Sequence, residues 1–481
     1  MNKAIETPET EAMRSSGISV SRRALLRTAG GAAGLLALGG SGAALAARSG
    51  RPPNILFILA DDLGYADLSC YGRRDYRTPH LDGLAAQGLR LTQGYSNSSV
   101  CSPTRVALIT GRYQYRLPAG LEEVISPTRN VGLPSGHPTL PSLLRGQGYR
   151  TALVGKWHIG DPPLPGPLEF GYDRFFGTRA GGADYFDHDL KFGDMTYGGL
   201  YEGDRKIERH GYLTDLLTDR AIQEIGDGSE KRPFFLSLHY TSPHWPWQAP
   251  GDADQRRTLT SPLDPDHGSI AKYAEMVRNL DDNVGRVLAA LAATGQADDT
   301  IVVFTSDNGG ERFSDMWPFI GAKTELLEGG IRVPLLLRWP GQLAAGAVSD
   351  QVMASMDFLP TLLAAAGGKP DPAYPSDGID LLPVLAGAAS ATPRTLFWRH
   401  KAGDQAAVRD GDWKYLRIGG REHLFNLAED ARERADKSKL FPDRFDRLKS
   451  AFETWNRSML PYEDATISHS AKYNDHWADR Y

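Results

Sequence analysis

The chain has 481 residues, 41% of them apolar and 23% charged, with a formal net charge of −5. This is the composition of a globular protein with a sizeable core and excludes a disordered or fibrous chain. Basic residues number 54 against 59 acidic ones, with no basic run in the body, so nothing marks a nucleic-acid or acidic-membrane partner and a small substrate is favoured.

The amino-terminal stretch follows its own logic. Ser21-Arg22-Arg23-Ala24-Leu25-Leu26-Arg27 precedes a Gly/Ala/Leu run from Thr28 to Ala46, in the pattern of a twin-arginine export signal. Its many glycines make it only mildly apolar, which argues against an uncleaved anchor. Ala44-Leu45-Ala46 supplies a small-x-small cleavage pattern, so residues 1–46 are expected to be removed by the twin-arginine translocase route. Their loss takes away five basic and three acidic side chains and moves the net charge from −5 to −7. The mature protein is expected to be periplasmic or secreted, free of the membrane. In such a compartment Cys70 and Cys101 could close one disulfide, although the motif around Cys101 offers it another use.

Beyond the signal, short apolar runs alternate with helical patterns. Ile55–Ala60, Thr151–Val154, Phe234–His239, Ile301–Thr305 and Val333–Leu337 are continuous rather than alternating, which predicts strands buried on both faces. The expected class is therefore α/β, a mainly parallel sheet between helices. A helix is predicted from Thr78-Pro79 to Gln87, with proline in its first turn, and a long amphipathic one over Ile270–Leu291. Small, proline-bounded residues at Ala386–Pro393 mark a linker. Strand candidates at Leu396–His400, Ala406–Val408, Trp413–Ile418 and His423–Asn426, then a helix near Phe445–Met459, form a small α+β subdomain. The division is thus signal 1–46, main domain 51–388, subdomain 389–463 and tail 464–481.

Ligands in open α/β sheets gather at the carboxyl ends of the strands. Four of these strands end in polar clusters: Asp61-Asp62, then Lys156 and His158, then His244, then Asp307-Asn308. Any one alone could be a turn or helix cap; together they point to one site. Asp61, Asp62, Asp307 and Asn308 offer hard oxygen ligands, which suit calcium or magnesium, calcium the better. Lys156 and His158 lie two apart and share a face if the backbone there is extended.

Asn97-Ser98-Ser99-Val100-Cys101-Ser102-Pro103-Thr104-Arg105 runs on through Leu108-Ile109-Thr110-Gly111-Arg112. Pro103 suits a first helical turn and Gly111 a stop, which places Cys101 just before the amino end of a short helix, where unpaired amides favour an anion. The residues alone suggest a reactive cysteine or an anion site.

Cys101-Ser102-Pro103-Thr104-Arg105 resembles the signature of the formylglycine-dependent type I sulfatases, Cys-x-Pro-Ser/Thr-Arg, in the alkaline phosphatase superfamily. The resemblance runs from Asn54 to about Pro340 and takes in Gly321-Ala322-Lys323 and Glu328-Gly329-Gly330-Ile331-Arg332-Val333-Pro334. Arg409-Asp410-Gly411-Asp412-Trp413-Lys414 and Leu424-Phe425-Asn426-Leu427 resemble the family's small carboxy-terminal domain more loosely. Thr104 stands where serine is commoner.

The resemblance implies an alkaline-phosphatase-like fold and hydrolysis of sulfate esters. It implies that a formylglycine-generating enzyme oxidises Cys101 to Cα-formylglycine, and that Asp61, Asp62, Asp307, Asn308 and the modified Cys101 hold one calcium ion. Arg105 and Lys156 then stand beside the formylglycine, His244 and Lys323 on the sulfate and leaving oxygen, and His158 takes a proton from the hydrated aldehyde. A phosphodiester or phosphonate monoester hydrolase of the same superfamily is the rival; Asn308, an amide where such relatives carry histidine, argues for calcium and sulfate. Sulfated carbohydrate is the favoured substrate, aryl sulfate the alternative. Arg179, Asp184, Tyr185, His188, Trp245 and Trp247 are expected to border the pocket or to pack beneath it.

Overall fold

The computed structural model describes residues 51–126, 129–192, 195–227, 232–254 and 268–469. The export signal and residues 470–481 of the tail lie outside them.

In chain order the first elements are β1 (Asn54–Ala60), α1 (Pro79–Gln87), β2 (Leu89–Tyr95), α2 (Cys101–Thr110), α3 (Leu140–Gly146), β3 (Arg150–Gly155) and β4 (Arg174–Gly177). Four short strands follow, β5 (Asp189–Phe192), β6 (Met195–Gly198), β7 (Leu200–Glu202) and β8 (Arg205–Ile207), then α4 (Leu213–Gly226), β9 (Phe234–His239), α5 (Ile270–Ala293) and β10 (Thr300–Ser306). After these come α6 (Glu328–Ile331), β11 (Arg332–Arg338), β12 (Ala347–Ser349), β13 (Met353–Ala354), α7 (Phe358–Ala365) and α8 (Leu382–Leu385). The chain then forms β14 (Thr395–His400), β15 (Gln405–Asp410), β16 (Trp413–Ile418), β17 (Arg421–Asn426) and α9 (Pro442–Arg457).

Among the described residues the main sheet has eleven strands, ordered β12-β2-β11-β10-β1-β9-β3-β4-β7-β8, with β13 also on β2. Its centre, β10-β1-β9-β3-β4, is parallel. Val333–Leu337, expected within a mainly parallel sheet, belongs to β11, which runs antiparallel to both β10 and β2. A buried apolar run reports that both faces are covered and says nothing about direction.

The continuous run in β1 is explained by what covers it. Leu56, Ile58 and Ala60 pack with Met276, Leu280, Val284 and Leu291 of α5 and with Leu213, Leu217 and Ile225 of α4. Ile55, Phe57 and Leu59 face the opposite way, into a layer with Val106, Ile109, Leu144, Phe358 and Leu362. Each fully buried side chain of this kind contributes ~1.5–3 kcal/mol. α5 places Tyr273, Met276, Val277, Leu280, Val284, Val287 and Leu291 on one stripe, and the Ser269 side chain caps its amino end by accepting from the Lys272 N–H.

The carboxy-terminal sheet is antiparallel, ordered β14-β15-β16-β17, and α9 lies against it. Trp398, Val408, Tyr415, Leu424, Phe452 and Trp455 share a third apolar cluster with Tyr95, Ala107 and Tyr115, so this sheet closes over α2. No helix of the described residues is long and apolar enough to cross a membrane.

Candidate active site

The sheet register brings the clusters together. Ala60 pairs with Ser306, and Leu59 and Gly155 both pair with His239, so β10, β1, β9 and β3 end at one edge. The pairing carries on past the strand ends: the N–H of Asp307 donates to the Ala60 carbonyl and that of Lys156 to the His239 carbonyl. Asp61, Asp62, Lys156, His244, Asp307 and Asn308 are thereby delivered from four neighbouring strands to one buried place.

Cys101 is not just ahead of its helix, as its sequence suggests, but is the first residue of α2, with Val100 as cap. Pro103 falls within the first turn, where its missing N–H costs nothing, and Gly111 ends the helix at φ 66°. Every residue of α2 is buried. Thr104 knits the preceding loop, accepting from the Ser98 N–H at 3.0 Å and donating to the Ser98 carbonyl at 3.1 Å. Both cysteine thiols are free, Cys101 buried and Cys70 partly so.

Around Cys101 the charges are paired. Its Sγ lies 3.5 Å from Asp61 Oδ1 and 3.9 Å from Asp62 Oδ1. Lys156 Nζ donates to Asp61 Oδ2 at 2.6 Å, and Lys323 Nζ to Asp62 Oδ2 at 2.6 Å. Arg105 grips Asp307 Oδ2 through Nε (3.0 Å) and Nη2 (2.7 Å), and Nη1 donates to the Lys156 carbonyl at 3.0 Å. Three carboxylates thus face three cations. Burial pushes the Asp61 carboxyl up to about 8, with Asp307 adding to this and Lys156 and Arg105 opposing. At Asp307 burial acts the same way, but Arg105 and Lys156 outweigh it and hold the group below the usual range.

Both histidines are buried. Burial, then the neighbouring cations, hold His158 and His244 well below the ordinary imidazole value. His244 Nδ1 donates to the Trp245 carbonyl at 2.5 Å, which turns its bare Nε2 toward Asp62 Oδ2, 3.6 Å away. His158 Nε2 donates to the Ile125 carbonyl at 3.1 Å, while Nδ1 is buried with no partner. The backbone at His158 is not extended, as the spacing with Lys156 assumes, but left-handed at φ 56°. Lys156 and His158 reach the same site nonetheless.

Asp61, Asp62, Cys101 and His244 place ligand atoms within 4.8 Å of one another. Asn308 Nδ2 donates to Asp62 Oδ1 at 2.7 Å, and its Oδ1 is buried without a partner. A dry acceptor with no donor in reach is satisfied by a cation. Together with the raised Asp61 carboxyl, this makes the donor set fit calcium.

Three residues of the site escaped the sequence. Gly181 and Gly182 lie against the two histidines: a Cβ on Gly181 would sit 2.5 Å from His158 Nε2, and one on Gly182 would sit 3.3 Å from His244 Cε1. The adjacent glycines were the only signal. Glu311 follows Asn308-Gly309-Gly310, and its Oε2 is buried without a hydrogen bond. Burial raises its carboxyl to about 7 against the pull of Lys323.

Among the residues expected at the border, Tyr185 braces the His244 loop, its hydroxyl donating to the carbonyls of Thr241 and His244 at 3.0 Å each. Asp184 accepts from Gln248, Arg179 donates to the Gly160 and Leu164 carbonyls, and His188 donates to the Gly211 carbonyl. These are packing roles. Trp247 is half-buried edge-on against Phe313, whereas Trp317, between Asn308 and Lys323, is 59% exposed.

A buried site at the carboxyl edge of a mainly parallel sheet, beside a helix that opens on a cysteine, is built on an alkaline-phosphatase-like α/β fold. Residues 53–368 match the family model described as Sulfatase. The chain is 34% identical over 393 residues to N-acetylgalactosamine-6-sulfatase of Mus musculus, covering 77% of this chain and 73% of the mouse protein. It is 34% identical over 409 residues to arylsulfatase A of Homo sapiens, covering 76% and 74%. A crystal structure of Ps i-CgsB in complex with k-i-k-neocarrahexaose superposes with a TM-score of 0.78 at 30% identity, over 89% of this chain and 98% of that one. The chain belongs to the sulfatase family, enzymes that hydrolyse sulfate esters.

Proposed function

We propose that the protein is an exported, calcium-dependent sulfatase that acts on sulfated carbohydrate through a formylglycine made from Cys101. The observation that carries this reading is the convergence of Asp61, Asp62 and His244 on the Cys101 side chain at the first turn of a buried helix. The unmodified thiol is a poor nucleophile there, because burial holds it well above its ordinary pKa despite Lys156 and Lys323.

Asp61, Asp62, Asp307, Asn308 and residue 101 would hold the calcium. When bound, the ion would supply Lewis acidity toward the hydrated residue 101 and positive charge for an anionic ester. Lys156, Lys323 and Arg105 are already engaged by Asp61, Asp62 and Asp307.

Arg105 and Lys156 fix the carboxylates and stand beside residue 101. His244 and Lys323 hold the sulfate and the leaving oxygen. Of that pair Lys323 carries the proton: burial opposes its charge, but Asp62, 2.6 Å away, raises its pKa well above the ordinary value, while the His244 proton is engaged at Nδ1. Lys323 therefore protonates the departing alcohol. His158, neutral and with Nδ1 open, takes the proton that releases sulfate and restores the aldehyde.

The names of the relatives support a carbohydrate sulfate. Residues 1–46 would direct folded protein through the twin-arginine translocase. Since Cys101 is 1% exposed, the formylglycine-generating enzyme would act before folding closes the site. The test is Cys101→Ala, which is expected to keep the fold and lose nearly all sulfate release; turnover near that of the parent refutes the mechanism.

A further inference from the structure

The last described residues of the chain reach back to the wall of the active site. Ser468 pairs with Glu123 as a short parallel bridge. The Glu123 N–H donates to the Ile467 carbonyl at 2.8 Å, the His469 N–H to the Glu123 carbonyl at 3.1 Å, and the Ile467 N–H to Glu122 Oε2 at 3.0 Å. The buried Glu123 carboxylate collects donors from two stretches, the Lys401 N–H (2.9 Å) on one and the Tyr462 (2.5 Å) and Ser468 (2.6 Å) hydroxyls on the other, and His400 Nδ1 lies 3.2 Å from its Oε2. His400 Nε2 donates to the His469 carbonyl at 3.1 Å and pins the far end.

Two residues beyond Glu123, Ile125 meets the catalytic centre on both of its backbone groups. Its N–H donates to Ser102 Oγ at 2.8 Å, next to Cys101, and its carbonyl accepts from His158 Nε2. A carbonyl has no proton to give, so this contact places the imidazole proton on Nε2 and leaves the lone pair on Nδ1. Gly181 lies against the same Nε2–Cε1 end of the ring, where a Cβ would leave it no room.

We propose that Thr466–His469 is a strap that, through Glu123 and Ile125, sets the tautomer and orientation of His158. Glu123 is a positioning residue that touches no substrate: its carboxylate anchors the 122–125 segment, and the segment's carbonyl orients the base. Residues 466–469 are held by hydrogen bonds to the buried groups of Glu122, Glu123 and His400. The proposal rests on His158 as the proton acceptor.

The test uses two variants of the otherwise full-length enzyme, one ending at Ala465 and one carrying Glu123→Gln, each with circular dichroism to confirm folding. Both are expected to lower kcat by roughly 10- to 100-fold with KM little changed, the scale of a misplaced catalytic group. The second readout is the ring-nitrogen NMR signal of His158, assigned by its loss in His158→Ala. It is expected to report the Nε2–H tautomer in the parent and a mixture in both variants. Parent-like kcat in the folded variants, or a His158 signal that stays Nε2–H, overturns the proposal. Full activity in His158→Ala would refute His158 as the base, and the ring signal would still decide whether the strap orients it.

Discussion

Lys156 Nζ lies 2.6 Å from Asp61 Oδ2, and neither side chain is reached by solvent. A buried pair of this kind adds little net stability over an apolar substitute, but removing one partner strands the other. Above pH 8, where Asp61 is ionised, and with calcium removed, Lys156→Ala is expected to cost about 3–5 kcal/mol in urea unfolding; in the calcium-loaded enzyme it is expected to abolish turnover. A loss below about 1 kcal/mol would show that water reaches Asp61, as at a surface pair.

Calcium removal is expected to act on stability as well as on activity. The carboxylates and the unpartnered Asn308 oxygen belong to the folded state alone, so an ion at 100 times its Kd adds about 2.7 kcal/mol. Chelation should lower the Tm by several degrees and stop sulfate release, and added calcium should restore both. A melting curve unmoved by chelator would count against the ion site.

Gly181 and Gly182 make a graded pair. The Gly181→Ala methyl would collide with the His158 ring at 2.5 Å, whereas that of Gly182→Ala would only crowd His244 at 3.3 Å. We expect kcat to fall on the order of 100-fold in the first and much less in the second, as small displacements of a catalytic group allow. Equal losses would mean that the two glycines serve the loop rather than the rings.

His239 gives a pH dependence. Burial lowers its pKa from 6.5 to about 3, and Arg105 adds to this, so below pH 6.5 the unfolded chain binds a proton that the folded one refuses. Stability must then fall as the pH drops through 6.5, by ~3 kcal/mol at pH 4.5 from this group alone. His239→Asn keeps a donor for the Lys156 carbonyl without the titration. The difference between the two proteins, with calcium present, should be flat above pH 7 and grow on the acid side; parallel curves would contradict the assignment.

How much was legible in advance depended on how local each signal was. β1, β9 and β10 were readable because both of their faces are covered, which writes a continuous apolar run into the chain. β2, Leu-Arg-Leu-Thr-Gln-Gly-Tyr, was not: its apolar residues are broken up by polar, partly buried ones and a glycine, so its strand character comes from its neighbours β11 and β12. The polar clusters after four strands pointed to one edge because parallel strands end together. Gly181, Gly182, Glu311 and Glu123 gave no such sign. Their roles are contacts between distant stretches, as between Glu123 and Ser468, and no spacing within either stretch encodes them.

The most direct test is mass spectrometry of the peptide containing residue 101, from protein made in its native host, paired with sulfate and phosphate release from matched aryl esters. A peptide about 18 Da lighter than the thiol form, as an aldehyde in place of a thiol requires, with sulfate released in preference, is the expected result. An unmodified Cys101 in fully active protein, or phosphate released in preference, would contradict it.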